Sequence, residues 1–194
     1  MKTNSLSTKE DIKAALVKVA EMFEAKAFIH TNKYTKDYKD EHFWSDVADV
    51  VGVEPDPTQR NFNLEITAKS NYDCGTVACI GGWCWLMNEE KPLPPREGDD
   101  KELIVYSDEA ADRADAFVFN IGDEGGESGL KDLFFPPFTA YEVEATNAGN
   151  KEEESFWDSM DYGLVTAEQA AKAIRNYIEN DDPDWYSVMK ESVK

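Results

Sequence analysis

A mainly α-helical domain, carrying at most a small two-stranded β element, is the fold class that three features of the sequence predict. Two helix-start signals stand out, Ser7 with Glu10 and Thr166 with Gln169, each pairing a hydroxyl with a side chain three residues on that can reach back to it. Behind both, apolar residues recur at steps of three and four, the period of one helix face. Strand-like alternation, by contrast, is confined to Phe62, Leu64 and Ile66. A chain of 194 residues fits one domain, here 1–194, with room for a true core. At 41% hydrophobic and 12% aromatic it is too apolar for disorder.

The first helix carries Ile12, Leu16, Val19, Phe23 and Ala27 on its inner face. A second is expected from about 37 to 51, with Phe43, Val47 and Val50 inward and Gly52 as its stop. Pro55 and Pro57 enforce a loop before the alternating strand. Residues 74–87 then read as a central helix rich in small residues. After the loop of Pro92, Pro94 and Pro95, Leu103–Tyr106 forms a candidate second strand. Ser107 caps a helix bearing Ala110, Ala111, Ala114, Phe117 and Val118, and Gly125, Gly126 and Gly129 break the chain before Leu130–Phe135. Pro136 and Pro137 end that piece. The acidic stretch 142–162 reads as a mobile loop. The helix after Thr166 buries Ala170, Ala171, Ile174, Tyr177 and Ile178, and Asp184 caps a last short helix with Trp185, Val188 and Met189 inside.

Charge is spread unevenly. Residues 1–50 hold 8 basic and 9 acidic side chains, whereas residues 97–184 hold 6 and 24, nearly all of the net −20. Such a field repels nucleic acid and anionic membranes and attracts basic surfaces. No apolar run approaches the roughly 18 residues of a membrane helix, and the N-terminus has no apolar leader core, so a cytoplasmic protein is expected.

Cys74, Cys79 and Cys84 lie within eleven residues, an odd and clustered set unlike a disulfide framework. Three readings compete. Metal binding fits poorly: on a helix each step of five residues turns about 140°, which scatters the three sulfurs around the axis. The only histidines, His30 and His42, lie upstream. Nucleophilic catalysis would use Cys74, and Tyr72-Asp73-Cys74-Gly75 resembles the start of papain-like cell-wall peptidases. That family takes its base from a histidine after the cysteine, and here none follows residue 42. Packing is the preferred reading: Ala78, Gly81 and Gly82 admit a close neighbour while Ile80, Trp83 and Leu86 fill space beside them.

The string Cys74-Gly75-Thr76-x-x-Cys79-x-x-Gly82-Trp83, followed by Leu133-Phe-Phe-Pro136 and Thr166-Ala-Glu-Gln-Ala-Ala171, resembles an uncharacterised family of small bacteriophage and bacterial proteins. The resemblance implies a phage or phage-like origin and supplies no catalytic residue. The extended acidic segments depart from the family's shorter pattern.

Other site chemistries fit less well. An EF-hand loop starting at Asp123 would place Gly125 at position 3 and Ser128 at position 6, so the ligand pattern fails and at most a loosely held surface calcium remains. No phosphate-binding glycine pattern is present, and the glycines at 125, 126 and 129 lie among carboxylates. With 40 acidic residues, carboxylate pairs of glycosidase type arise by chance. Stacking of bases on Trp157 or Trp185 is opposed by the acids that precede each.

No catalytic, cofactor-binding or metal-binding residue is therefore expected, and no direct nucleic-acid or membrane contact. The leading expectation is an interaction protein whose acidic face binds a basic, nucleic-acid-handling host protein, as a DNA-mimic inhibitor would. Expected contacts are Glu152, Glu153, Glu154, Asp158, Asp161, Asp181, Asp182 and Asp184, with Trp157 and Trp185 as apolar anchors. The alternatives are a small cysteine-dependent hydrolase and an acidic scaffold or oligomer without catalysis.

Overall fold

The computed structural model describes residues 6–27, 29–30, 60–62, 68–71, 75–88, 108–123, 128–160 and 162–191. The protein is mainly helical, as the periodicity predicts. The helix expected at 37–51, the strand at 103–106, and the roles of Ser107, Gly125 and Gly126 lie outside the described residues.

Helix α1 (Lys9–Glu24) starts one residue later than the sequence signal. Thr8 is the cap: its Oγ1 accepts from the Asp11 N–H at 3.1 Å and donates to the Asp11 carboxylate at 2.7 Å. Ile12, Leu16, Val19 and Phe23 are buried as expected, whereas Ala27 lies past the end of the helix and is exposed. Lys26, at φ 54, turns the chain away in a left-handed step.

The β element is larger than the two strands expected. Strands β1 (Ile29–His30), β2 (Arg60–Phe62), β3 (Ala68–Asn71) and β4 (Gly75–Ala78) form one mixed sheet in the order β1-β2-β4-β3. β2 runs parallel to both β1 and β4, and β3 is antiparallel to β4. Strands of two to four residues are too short to show the period-2 pattern that sequence reading relies on.

The stretch 74–87, expected as one helix, is divided. β4 takes its first half, and α2 (Ile80–Leu86) begins only after Cys79. The small β-branched pair Thr76-Val77 suits an extended chain. The expected central position does hold: Ile80, Gly81, Gly82, Trp83, Cys84 and Leu86 are all buried, and α2 touches α1, β4 and the two helices that follow. Those are α3 (Asp108–Asp123) and α4 (Ser128–Phe134). A Cβ on Gly81 would stand 2.7 Å from Val118 of α3 and 2.9 Å from Phe134 of α4, so the glycine permits the three-helix contact. Gly129, expected as a breaker, lies within α4.

The acidic stretch 142–162 is not a loop. It lies mostly within α5 (Phe138–Asn147) and α6 (Lys151–Asp158), joined by a turn at Gly149 (φ 72) and followed by a 3₁₀ turn, Tyr162–Leu164. Asn150 caps α6: its side-chain oxygen accepts from the Glu153 N–H at 3.3 Å, and its amide donates to the Glu153 carboxylate at 2.7 Å. Glu152, Glu153 and Glu154 fill the first turn of α6, where the helix dipole favours negative charge.

Helix α7 (Ala167–Asn180) carries the expected Thr166–Gln169 capping box, with both bonds formed at 3.2 and 2.7 Å. Its buried face of Ala170, Ala173, Ile174 and Tyr177 packs on α1. Helix α8 (Trp185–Glu191) follows, with Trp185, Val188 and Met189 buried, and Asp184 accepts from the Ser187 N–H at 3.2 Å as its cap.

Candidate functional site

The ten expected contact residues divide into three groups, with Asp161 outside the described residues. Trp157 and Trp185 are corrected outright as interface anchors, being 2% and 0% exposed. Trp157 stands 4.8 Å from the Tyr141 ring, 4.7 Å from Phe156 and 5.3 Å from Tyr186. The Trp185 indole donates to the Asp132 carbonyl at 2.9 Å. Both are core of the α5–α6–α8 cluster, with the Phe138 ring 6.0 Å from Trp157 and 6.3 Å from Trp185.

A second group is consumed internally. Glu153, 18% exposed, accepts from Lys190 at 2.8 Å and from the Tyr186 hydroxyl, and Lys190 also donates to that hydroxyl at 2.6 Å. These bonds, Lys190 first and then Tyr186, hold the Glu153 carboxyl down at about 2. Asp181 bridges Lys13 at 2.5 Å and Lys9 at 2.9 Å, and those bonds hold its carboxyl below the usual range. Both acids therefore fasten helices together, Glu153 binding α6 to α8 and Asp181 binding α1 to the end of α7.

The third group has no such partner. Glu152, Glu154 and Asp158 on α6 form no ion pair with a described residue, nor do Asp182 and Asp184 in the α7–α8 turn. Sequence reasoning missed three more of this kind, Asp132 on α4 and Glu142 and Glu144 on α5. They were absent from the expected set because none belongs to an acidic run: Asp132 follows Lys131, and Glu142 and Glu144 alternate with apolar residues. Burial and the charge of Asp182 push the Asp132 carboxyl up. Burial, then Asp132, Asp182, Asp184 and Glu144, push the Tyr141 hydroxyl up to about 12. Carboxylates from α4, α5 and the α7–α8 turn thus act on one tyrosine, with Lys131 beside Asp132 as an opposing charge.

The described part of the cysteine segment offers no comparable chemistry. Cys79 and Cys84 are free thiols and fully buried. Cys79 is the cap of α2, its sulfur accepting from the Gly82 N–H at 3.4 Å, and burial pushes its thiol up to about 11. Burial raises Cys84 as well, and its thiol lies 4.0 Å from the Ile12 carbonyl. At neutral pH neither supplies a thiolate. Of the wider motif, Gly75 and Thr76 lie in β4, Gly82 and Trp83 are buried in α2, and Cys74 lies outside the described residues. Among the described residues no group of three or more His, Cys, Asp or Glu is placed to hold a metal ion.

A groove of about 980 Å³ runs between the end of α1, α7 and α8. Phe23, Ala171 and Val188 are among its apolar lining, and four of its lining charges meet in pairs: Arg175 with Glu24 at 2.9 Å and Lys172 with Glu191 at 3.6 Å. Only Asp184 of the expected contacts reaches it. No described helix is long and apolar enough to cross a membrane. The chain matches no protein-family model, and neither a curated protein nor a solved structure matches it.

Proposed function

We propose that this chain is an interaction protein, phage-derived as its three short motifs imply, that binds the basic, nucleic-acid-handling surface of a host protein and competes there with DNA or RNA. The observation that carries the reading is the set of unpaired carboxylates on α4, α5, α6 and the α7–α8 turn. Duplex DNA presents one charge per about 1.7 Å of axis. Side chains one turn apart on a helix stand about 5–6 Å apart, so a single helix falls short of that density. Several elements must contribute together, and the reading is supported by carboxylates from α4, α5 and the α7–α8 turn that all act on Tyr141. The hydrolase alternative would rest on Cys74, which lies outside the described residues; Cys79 and Cys84 are buried thiols.

The test is capture of host proteins on the immobilised chain at about 0.01 and 0.1 M salt, over which the Debye length falls from about 30 to 10 Å. A basic partner should be retained at low salt, weakened at the higher, and released by added duplex DNA. Replacing Glu152, Glu154 and Asp158 together by amides should slow its association. Recovery of no basic partner at either salt, or a partner indifferent to DNA, would leave the acids as solubilising groups only.

A further inference from the structure

The outer face of α5 is unlike the rest of this acidic surface. On a helix each residue turns about 100°, so Thr139, Ala140, Thr146 and Asn147 all fall within about 60° of Val143. All five are exposed, Val143 at 53%, and none is charged. Glu142 and Glu144 stand about 100° to either side. The inner face, Phe138 and Ala145, is buried in the aromatic cluster. An uncharged stripe two to three turns long, centred on an exposed valine and bordered on both sides by carboxylates, lies within the most acidic part of the chain.

We propose that this stripe docks a basic amphipathic helix of the partner protein, a segment with apolar residues along one face and lysine or arginine on both flanks. The inference rests on the reading of the chain as a binder of basic surfaces and names where an apolar contact completes it. Charge decides the occupant. A second copy of this chain would set carboxylates against carboxylates along both borders, whereas a basic helix would place its cations opposite Glu142 and Glu144. The charged pairs would set approach and orientation, and Val143 with Ala140 would supply the apolar contact that holds the complex once formed.

The probe is a labelled synthetic peptide of leucine and lysine with leucines at helical spacing. It is compared with a scrambled peptide of the same composition and with oligolysine, by fluorescence anisotropy at low salt. The patterned peptide should bind at least tenfold tighter than either control. Val143→Glu should remove that preference while leaving the melting temperature unchanged, because the side chain is exposed; Ala140→Glu on the same stripe provides a second variant should the first unfold. Equal binding of patterned and scrambled peptides, or a preference untouched by both variants, would overturn the docking stripe and leave the acidic-surface reading standing. No binding of any of the three polycations would overturn both. Concentration-dependent dimerisation abolished by Val143→Glu would show the stripe to be a contact between copies and would also overturn the proposal.

Discussion

The α1–α7 pair and the α5–α6 hairpin both carry many acids, yet they dispose of them in opposite ways. Along α1–α7 the charges meet across the interface: Arg175 holds Glu24 through two bonds of 2.9 Å, and Lys9 and Lys13 hold Asp181. The core beneath is largely aliphatic, with Ala15, Leu16, Val19 and Ala20 against Ala170, Ala173 and Ile174, beside the buried rings of Phe23 and Tyr177. The α5–α6 hairpin has a single lysine, Lys151, among its acids, and the one acid that is neutralised, Glu153, takes its cation from α8. Its core is aromatic. Exposed ion pairs contribute only about 0–1 kcal/mol each, so neither pair is held chiefly by charge. The hairpin tolerates its unpaired carboxylates because aromatic burial outweighs their repulsion, and those carboxylates stay available to a partner.

If the hairpin rests on its aromatic core, Trp157→Ala should be the most damaging change. Truncation of a buried tryptophan costs about 3–5 kcal/mol, to be read from denaturant unfolding. A variant that kept its stability and lost only partner binding would return Trp157 to the interface and dissolve the contrast between the two pairs. A smaller loss is expected where the regions join. A Cβ on Gly129 would stand 1.8 Å from the Asp181 carbonyl oxygen, so Gly129→Ala must displace the α7–α8 turn. Overpacking of this kind costs about 1–3 kcal/mol. An unchanged melting temperature would show that the turn is loosely seated and that Asp182 and Asp184 are not fixed relative to α4.

The contrast also marks what the sequence could reveal. Where a helix has one clean apolar face and a hydroxyl cap, as in α1 and α7, periodicity located it to within a residue, and Asp184 as the cap of α8 was equally plain. The hairpin was hidden because its faces are built differently. α6 buries Trp157 alone, and its cap is an asparagine rather than serine or threonine, although Asn150-Lys-Glu-Glu153 has the capping-box spacing. The glutamate run read as solvated loop was the first turn of a helix. The break at Cys79 was missed because a short strand leading directly into a buried helix leaves one unbroken apolar run. As for the site, local runs such as 152–154 and 181–184 were legible as acidic. Which members were already paired depended on Lys9, Lys13 and Lys190, the first two more than 160 residues away from Asp181 in sequence.

The gentlest test separates the ionic ties of the two regions by pH. Glu153 sits at about 2 in the folded protein against an ordinary value of 4.5, so folding favours its ionised form. Its contribution is complete above the ordinary carboxylate range and fades as pH falls from about 4.5 to 2. Asp181 is shifted in the same direction by Lys13 and Lys9, so both ties weaken on acidification, one in each region. Glu153→Gln should therefore lower stability at pH 7 and converge on the parent protein near pH 2, with the difference closing through that window. Tryptophan emission gives the readout, since Trp157 packs directly on Tyr186, the residue that Glu153 engages. Asp181→Asn should show the same convergence while perturbing that emission less, because its lysines belong to α1. A gap between Glu153→Gln and the parent that persisted at pH 2 would mean that the side chain acts through its shape and its bond to Asn150. The α6–α8 contact would then owe nothing to charge, and the hairpin's only neutralised acid would join the unpaired ones.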